Sequence, residues 1–235
     1  FPRGEAWHLA AMGAIPTALA AMVFWGDRWV AWPLRRHRTD YLTLGAMPLL
    51  GLTGLWLLVS TFASSGNASP APFITLFNPL ELSQLAYLAV LSATLLSVRE
   101  HLHLSGRSVK WILGGTYFLW VNGLIVRALH HYTGVPYTFG HLFDSPLVQM
   151  ALSICWTIVG ITLMIFASRR RWRWVWITGA SFLGVVVLKL FLVDLSKSGT
   201  VERIVSFITV GLFLLLVGYF SPIPPGRDTS ASKGE

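Results

Sequence analysis

Long apolar stretches, nearly free of formal charge, restrict most strongly what this chain can fold into. Seven such stretches lie along its 235 residues, and each is close to the roughly 20 residues that an α-helix needs to cross the hydrocarbon core of a bilayer. They are Trp7–Trp25, Tyr41–Ala63, Pro79–Val98, Val109–Leu129, Pro146–Ala167, Trp174–Val193 and Ile204–Phe220. The sequence therefore predicts an all-α, polytopic transmembrane helix bundle with about seven spans.

The segments between these spans are too short to form a soluble domain. The longest, residues 130–145, has 16 residues. The composition agrees, because 12% of the residues are charged, against about 25% in soluble domains. We therefore expect one transmembrane domain over residues 1–225 and a disordered polar tail over 226–235. The chain begins with Phe and has no signal-peptide pattern, so we expect it to be part of a longer chain.

The distribution of lysine and arginine predicts an orientation in the membrane. Of the 18 such residues, thirteen fall in the loops and terminus on one predicted side, three on the other, and Arg127 and Lys189 inside predicted spans. Short cytoplasmic loops carry the excess of positive charge, so we predict an N-terminus outside and a C-terminus in the cytoplasm. Because this topology explains the net charge of +8, we expect membrane lipids as partners and no nucleic acid.

Most charged and histidine side chains outside the basic loops converge on one predicted layer, at the extracytoplasmic ends of the spans. The candidates for a ligand site or polar network are Glu81, Arg127, His130, His131, Asp144, Lys189, Asp194 and Arg203. We predict that Glu81 pairs with Arg127, and that Asp194 pairs with Lys189 or Arg203. Positions 127, 130 and 131 share one helix face by their spacing.

Two interpretations of this layer remain open. Ionisable side chains inside a membrane are costly and usually face a protein interior or a wet cavity, which favours a polar pocket. Buried ion pairs can equally fix how helices pack, with no ligand at all. The adjacent imidazoles of His130 and His131 favour the cavity, whereas the histidine spacing matches no usual zinc set, so we expect no metal.

The outer loop between Thr133 and Asp144 is too apolar to extend freely into water. It contains Tyr137, Phe139 and Phe143. We therefore predict a short helix or re-entrant piece there that folds back over the outer end of the bundle.

Catalytic sequence motifs are missing. The chain has no glycine-rich phosphate loop, no nucleophile elbow and no HExxH pattern, and these are the local patterns that common hydrolases and nucleotide-binding enzymes need. We therefore expect no cofactor, and an enzymatic role is the weaker interpretation.

The C-terminal part of the chain contains a series of short motifs. They are Arg173-Trp174 through Gly179, Lys189 through Leu195, Arg203-Ile204, Ser206-Phe207-Ile208, Gly211, Gly218-Tyr219 and Pro222 to Pro225, with Gln149, Trp156, Arg127, His131 and Asn78 to Glu81 further back. In these motifs the chain resembles a family of large bacterial polytopic proteins known only as predicted membrane proteins. The resemblance is most specific over residues 173–225 and looser from residue 78. It implies a multi-pass protein of the bacterial inner membrane, usually several times longer than this chain, and no particular activity.

Two functional hypotheses of different class follow. The first is a non-enzymatic envelope protein whose bundle surrounds an outward-facing polar pocket, in transport, ligand binding or envelope assembly, with the remainder of a longer chain or other envelope proteins as partners. The alternative is a membrane enzyme that acts on a lipid-linked or glycan substrate at its extracytoplasmic side. In that enzyme, Glu81 or Asp194 would act as acid or base, and Arg127 and Lys189 would hold phosphate.

Overall fold

The computed structural model describes residues 4–190 and six further helical positions, Ile208, Gly211, Leu212, Leu215, Gly218 and Tyr219. Throughout this part the regular structure is helical, with no strand, which confirms the predicted all-α class. The helices are α1 Glu5–Trp25, α2 Arg38–Asp40, α3 Met47–Ala63, α4 Pro79–Val98, α5 Gly106–Thr133, α6 Phe139–Asp144, α7 Pro146–Arg170 and α8 Arg173–Lys189. Short 3₁₀ and π-helical turns, Gly26–Arg28, Ala31–Arg35 and Tyr41–Ala46, connect α1 to α3.

Five helical segments of the described part are long and apolar enough to cross a membrane. They are Glu5–Arg28, Arg38–Ala63, Pro79–Val98, Gly106–Thr133 and Pro146–Arg170, and they coincide with the first five predicted spans. Helix α8 covers the predicted sixth span as far as Lys189. Most of the predicted seventh span, Ile204–Phe220, lies outside the described residues.

The first compact unit comprises residues 1–148, and α4 is its central helix. In the most apolar 18-residue stretch of α4, 56% is buried inside the protein, against 17–28% in the corresponding stretches of the three other candidate spans of this unit. Leu88 and Leu91 of α4 belong to one core cluster with Leu50 and Leu57 of α3. Because α4 is enclosed by its neighbours, a polar side chain on this helix must find its partner inside the protein.

The outer faces of the surrounding helices are strongly apolar. Met12 of α1 and Leu55 and Phe62 of α3 are all exposed. Exposed apolar surface of this extent marks contact with a membrane or another protein. Together with the lengths of the helices, it supports insertion into a lipid bilayer.

The second compact unit begins at Gln149, and its two described helices approach closely at a pair of glycines. A Cβ atom added to Gly179 of α8 would lie 2.7 Å from the carbonyl oxygen of Gly160 on α7. Such a distance is too short for any side chain. Glycine at these positions therefore permits the close backbone contact that is common between transmembrane helices.

Candidate functional site

The start of α4 is held in place by Asn78. Its Oδ1 accepts a hydrogen bond from the backbone N–H of Leu80 at 3.0 Å, and its Nδ2 donates to the carbonyl oxygen of Gly66 at 2.6 Å. Pro79 follows in the first helical position, where its missing N–H costs nothing. Gly66 has a φ of +74°, which glycine adopts without strain. Asn78 therefore ties residues 64–78, which we call the 64–78 loop, to the helix that carries Glu81.

Glu81 and Arg127 form a buried ion pair between α4 and α5. Arg127 Nε lies 3.3 Å from Glu81 Oε1, and both side chains are 0% exposed. The second carboxylate oxygen, Oε2, accepts a hydrogen bond from the backbone N–H of Leu76 at 2.7 Å. The pairing predicted from the sequence is confirmed, and the carboxylate is shared between a guanidinium and the backbone of the 64–78 loop.

Arg127 extends the pair into a network that joins three helices. Its Nη2 donates to Gln84 Oε1 at 2.9 Å, and Gln84 Nε2 donates to Ser60 Oγ at 2.9 Å. The Ser60 hydroxyl then donates to the carbonyl oxygen of Leu57 at 3.1 Å. Gln84 and Ser60 are completely buried. We call Glu81, Gln84, Arg127 and Ser60 the buried polar network, and it connects α5 to α4 and α4 to α3.

Tyr137 lies beside the network, between Arg127 and the end of α3. Its hydroxyl donates to the carbonyl oxygen of Thr61 at 2.6 Å, one of the last carbonyls of α3, which has no partner within the helix. Burial raises the pKa of the Tyr137 phenol, and the nearby Arg127 guanidinium partly offsets that rise. Arg127 Nη1 is buried and makes no hydrogen bond of standard geometry within the described residues.

The segment that carries Tyr137 folds in part as predicted. A short helix, α6, forms at Phe139–Asp144, and Tyr137 before it is buried. Phe139 and Phe143 are exposed, so only Tyr137 of the three aromatic residues on which the expectation rested packs inward.

His130 and His131 have different backbone partners. His130 Nδ1 lies 2.6 Å from the carbonyl oxygen of Val135, and His131 Nε2 lies 2.8 Å from that of Ser65. A carbonyl only accepts, so these two ring nitrogens carry the protons. The His131 ring also stacks on Phe73 at 3.9 Å between centroids. Each imidazole thus connects the end of α5 to a loop, which is a structural role that the sequence interpretation did not anticipate.

The other candidates occupy different places. Asp144 is exposed at the end of α6. Lys189 belongs to the second unit, where its Nζ donates to the carbonyl oxygen of Gln149 at 2.7 Å and to Ser153 Oγ at 2.6 Å. Asp194 and Arg203 lie outside the described residues. A single network that joins Lys189, Asp194 and Arg203 to Arg127 stays a prediction.

The geometry of the buried polar network suits helix packing better than chemistry on a substrate. The Glu81 and Arg127 side chains have no accessible surface, so a substrate would reach them only after the 64–78 loop or Tyr137 moved. Within residues 4–190, no group of three His, Cys, Asp or Glu side chains is arranged to hold a metal ion.

Three members of this site were missed in the sequence. Gln84 carried the clearest signal, because it is the one amide side chain of its span and lies three residues after Glu81, on the same helix face. Ser60 and Thr61 are small polar residues near a helix end, and nothing in their local pattern distinguishes them from other such residues of the spans.

The comparisons with known proteins agree with the membrane interpretation. A family model described as "Predicted membrane protein (DUF2339)" matches residues 2–224. This range includes the first third of the chain, where the sequence motifs alone supported no resemblance. No curated protein and no solved structure matches the chain.

Proposed function

The chain belongs to the DUF2339 family of predicted membrane proteins, and on that premise we propose that it is a non-enzymatic assembly module of the bacterial cell envelope. In this proposal it is a multi-pass protein of the inner membrane. Its partners are lipids, the remainder of a longer chain and other envelope proteins.

One observation carries this proposal: the buried polar network is closed. Its ion pair is completely buried, and the carboxylate of Glu81 is used by Arg127 on one oxygen and by the Leu76 backbone on the other. A catalytic carboxylate or a transport site needs access for its substrate, whereas a packing device does not. Buried polar pairs can specify which helix faces meet, at some cost in stability.

The topology in this proposal has seven spans, with the N-terminus outside. The thirteen-to-three distribution of lysine and arginine supports this orientation. The buried polar network, the 64–78 loop and Tyr137 would then lie at the extracytoplasmic side.

A second candidate function is a membrane enzyme for a lipid-linked or glycan substrate. It is favoured by Nη1 of Arg127, a buried donor without a hydrogen bond of standard geometry among the described residues, although the guanidinium does interact with the Tyr137 hydroxyl. An anionic group of a substrate could accept from this atom if the Tyr137 segment opened.

Replacement of the ion pair by apolar residues distinguishes the two candidates. The gene would be deleted, and the deletion strain complemented with the Glu81→Leu/Arg127→Met double variant. Resistance of the strain to detergent then measures envelope integrity. If the network only packs helices, the double variant accumulates in the membrane and restores resistance as the wild type does.

A contrary result has a clear form. The enzyme or ligand-binding hypothesis predicts a double variant that accumulates normally, unfolds at the normal temperature and still fails to restore resistance. The Glu81→Leu single variant is the control for stability, because it leaves Arg127 buried without its carboxylate and should lower the amount of protein in the membrane.

A further inference from the structure

The connection between α1 and α3 has a surface that the buried polar network does not explain. We call residues 26–37 the basic hairpin. It leaves one candidate span, Glu5–Arg28, and returns to the next, Arg38–Ala63. Since both neighbours are long apolar helices, chain connectivity places the hairpin at a membrane surface.

The basic hairpin is folded, yet it exposes two indole rings. Leu34 packs on Gly26, since a Cβ atom there would lie 3.1 Å from Leu34 Cδ1. Trp29 is nevertheless 88% exposed and Trp32 75% exposed. Rings so exposed beside a membrane span match the amphipathic environment at the level of the lipid headgroups, where tryptophan is enriched.

Positive charge surrounds these two rings. Arg28, Arg35 and Arg36 are exposed, and within the described residues none of the three forms an ion pair. The one carboxylate of the hairpin, Asp27, is taken by Arg38 at 3.0 Å between Oδ2 and Nε. That guanidinium also lies over the Phe24 ring at 5.5 Å. The ion pair of Asp27 therefore leaves three arginines without a competing acid.

We propose that the basic hairpin binds the headgroups of anionic phospholipids in the same membrane, with Arg28, Arg35 and Arg36 on the phosphates and Trp29 and Trp32 inserted between lipids. Charge complementarity selects this occupant, because guanidinium groups bind phosphate oxygens in pairs and a basic surface segment attracts anionic lipid. The proposal rests on membrane insertion alone and is independent of the assembly role.

Lipid titration of the purified full chain tests this proposal. Phosphatidylglycerol is added to the protein in dodecyl maltoside micelles, and the shift in the thermal unfolding midpoint is measured against lipid concentration. Phosphatidylcholine and inorganic phosphate are added in parallel. We expect stabilisation by phosphatidylglycerol only. Equal stabilisation by phosphatidylcholine, or by inorganic phosphate alone, would overturn the proposal.

The charge requirement is tested with two variants that each lose three positive charges. Arg28→Gln/Arg35→Gln/Arg36→Gln should need on the order of a hundredfold more phosphatidylglycerol for half of its stabilisation, since each arginine contributes about 1 kcal/mol. The matched control, Arg99→Gln/Arg107→Gln/Lys110→Gln, alters the connection between α4 and α5 and the first turns of α5. Arg99 already lies 3.5 Å from Glu100 there, and the lipid dependence of this variant should match that of the wild type. Equal losses in both variants would contradict a site at the hairpin.

Insertion of the rings is tested separately, with a nitroxide label at Trp32→Cys in a Cys155→Ala background. In vesicles of phosphatidylglycerol and phosphatidylcholine, we expect the label to be relaxed more by oxygen than by a water-soluble nickel complex. A label relaxed mainly by the nickel complex would refute insertion even if the arginine variants lost lipid binding.

Discussion

The guanidinium of Arg127 and the carboxylate of Glu81 meet at 3.3 Å between α5 and α4, with neither side chain exposed. The two residues are 46 positions apart in the chain, and the pair joins the ends of α4 and α5 that lie away from the short connection over residues 99–105. Gln84 accepts a hydrogen bond from Arg127 Nη2, and the Leu76 backbone donates one to the second carboxylate oxygen of Glu81. This arrangement makes the pair the clearest target for perturbation in the first unit.

Loss of one member of the pair should be far more costly than loss of both. Arg127→Met or Glu81→Leu alone leaves a buried charge without its counter-ion and should destabilise the first unit by about 3–5 kcal/mol. The double variant should recover most of that loss, because no charge then stays buried. Thermal unfolding in detergent, analysed as a double-mutant cycle, gives the coupling. Additive losses in the double variant would argue against a direct interaction between the two side chains.

The close approach of α5 to α3 should depend on Gly123. A Cβ atom at this position would lie 2.5 Å from Cγ2 of Thr61, so Gly123→Ala should destabilise the protein by about 1–3 kcal/mol. The matched control on the same helix is Gly114→Ala, where nothing lies within 4 Å. That substitution should be neutral or stabilising, since alanine favours helix.

A second substitution tests the cause of the Gly123 effect. Thr61→Ser removes the methyl group that the new Cβ would meet, so it should restore part of the stability of Gly123→Ala. If Thr61→Ser brings no recovery, the loss arises elsewhere than at this contact.

Tyr137 should contribute to stability in a way that depends on pH. Its raised phenol pKa means that the folded protein retains the proton when the unfolded chain begins to lose it, near pH 10. The contribution is therefore complete below that pH and is lost as the pH rises towards the folded pKa.

Tyr137→Phe should lower stability by about 1 kcal/mol at pH 7, through the lost hydrogen bond to the Thr61 carbonyl. It should also show a weaker decrease in unfolding temperature between pH 9 and 11, the range in which wild type and variant would be compared. Parallel pH profiles for the two proteins would contradict the assigned role.

The proposed topology predicts which positions an impermeant thiol reagent reaches in intact cells. In a Cys155→Ala background, cysteine at Ser69 or Gly140 should be labelled from outside, and cysteine at Arg36 or Ser105 only after the cells are opened. The charge distribution of the loops is the physical reason. Labelling at Ser105 in intact cells would contradict the orientation and the span assignment together.

Much of the site could be inferred because burial of charge is so costly. Glu81 and Arg127 both fall within apolar spans at the same predicted level, and each needs a counter-ion in a medium of low dielectric constant. Their pairing followed from that requirement. The choice of Gln84 as second partner of Arg127, and of Ser60 as partner of Gln84, depends on how α3, α4 and α5 are rotated about their axes, and no local pattern specifies this.

The histidines illustrate the opposite case. Adjacent imidazoles indicated a polar cavity when only their chemistry was considered. In the fold, His130 and His131 each donate a hydrogen bond to a backbone carbonyl, of Val135 and Ser65 respectively. Their roles depend on the path of two loops, and one of those loops is more than 60 residues away in the chain.

The sequence by itself determined the class of protein, the approximate positions of the first five apolar helices, the need for a partner at Arg127 and the inward position of Tyr137. Each of these follows from a free energy that acts locally, since apolar length, charge burial and aromatic content are properties of short segments. Tertiary structure alone decided that α4 is the central helix of the first unit, that the 64–78 loop supplies Leu76 to Glu81, and that the buried polar network is closed to solvent. These features arise from packing among helices that are distant in the chain, where many pairings have similar hydrophobic energy and only the complete set of contacts distinguishes between them.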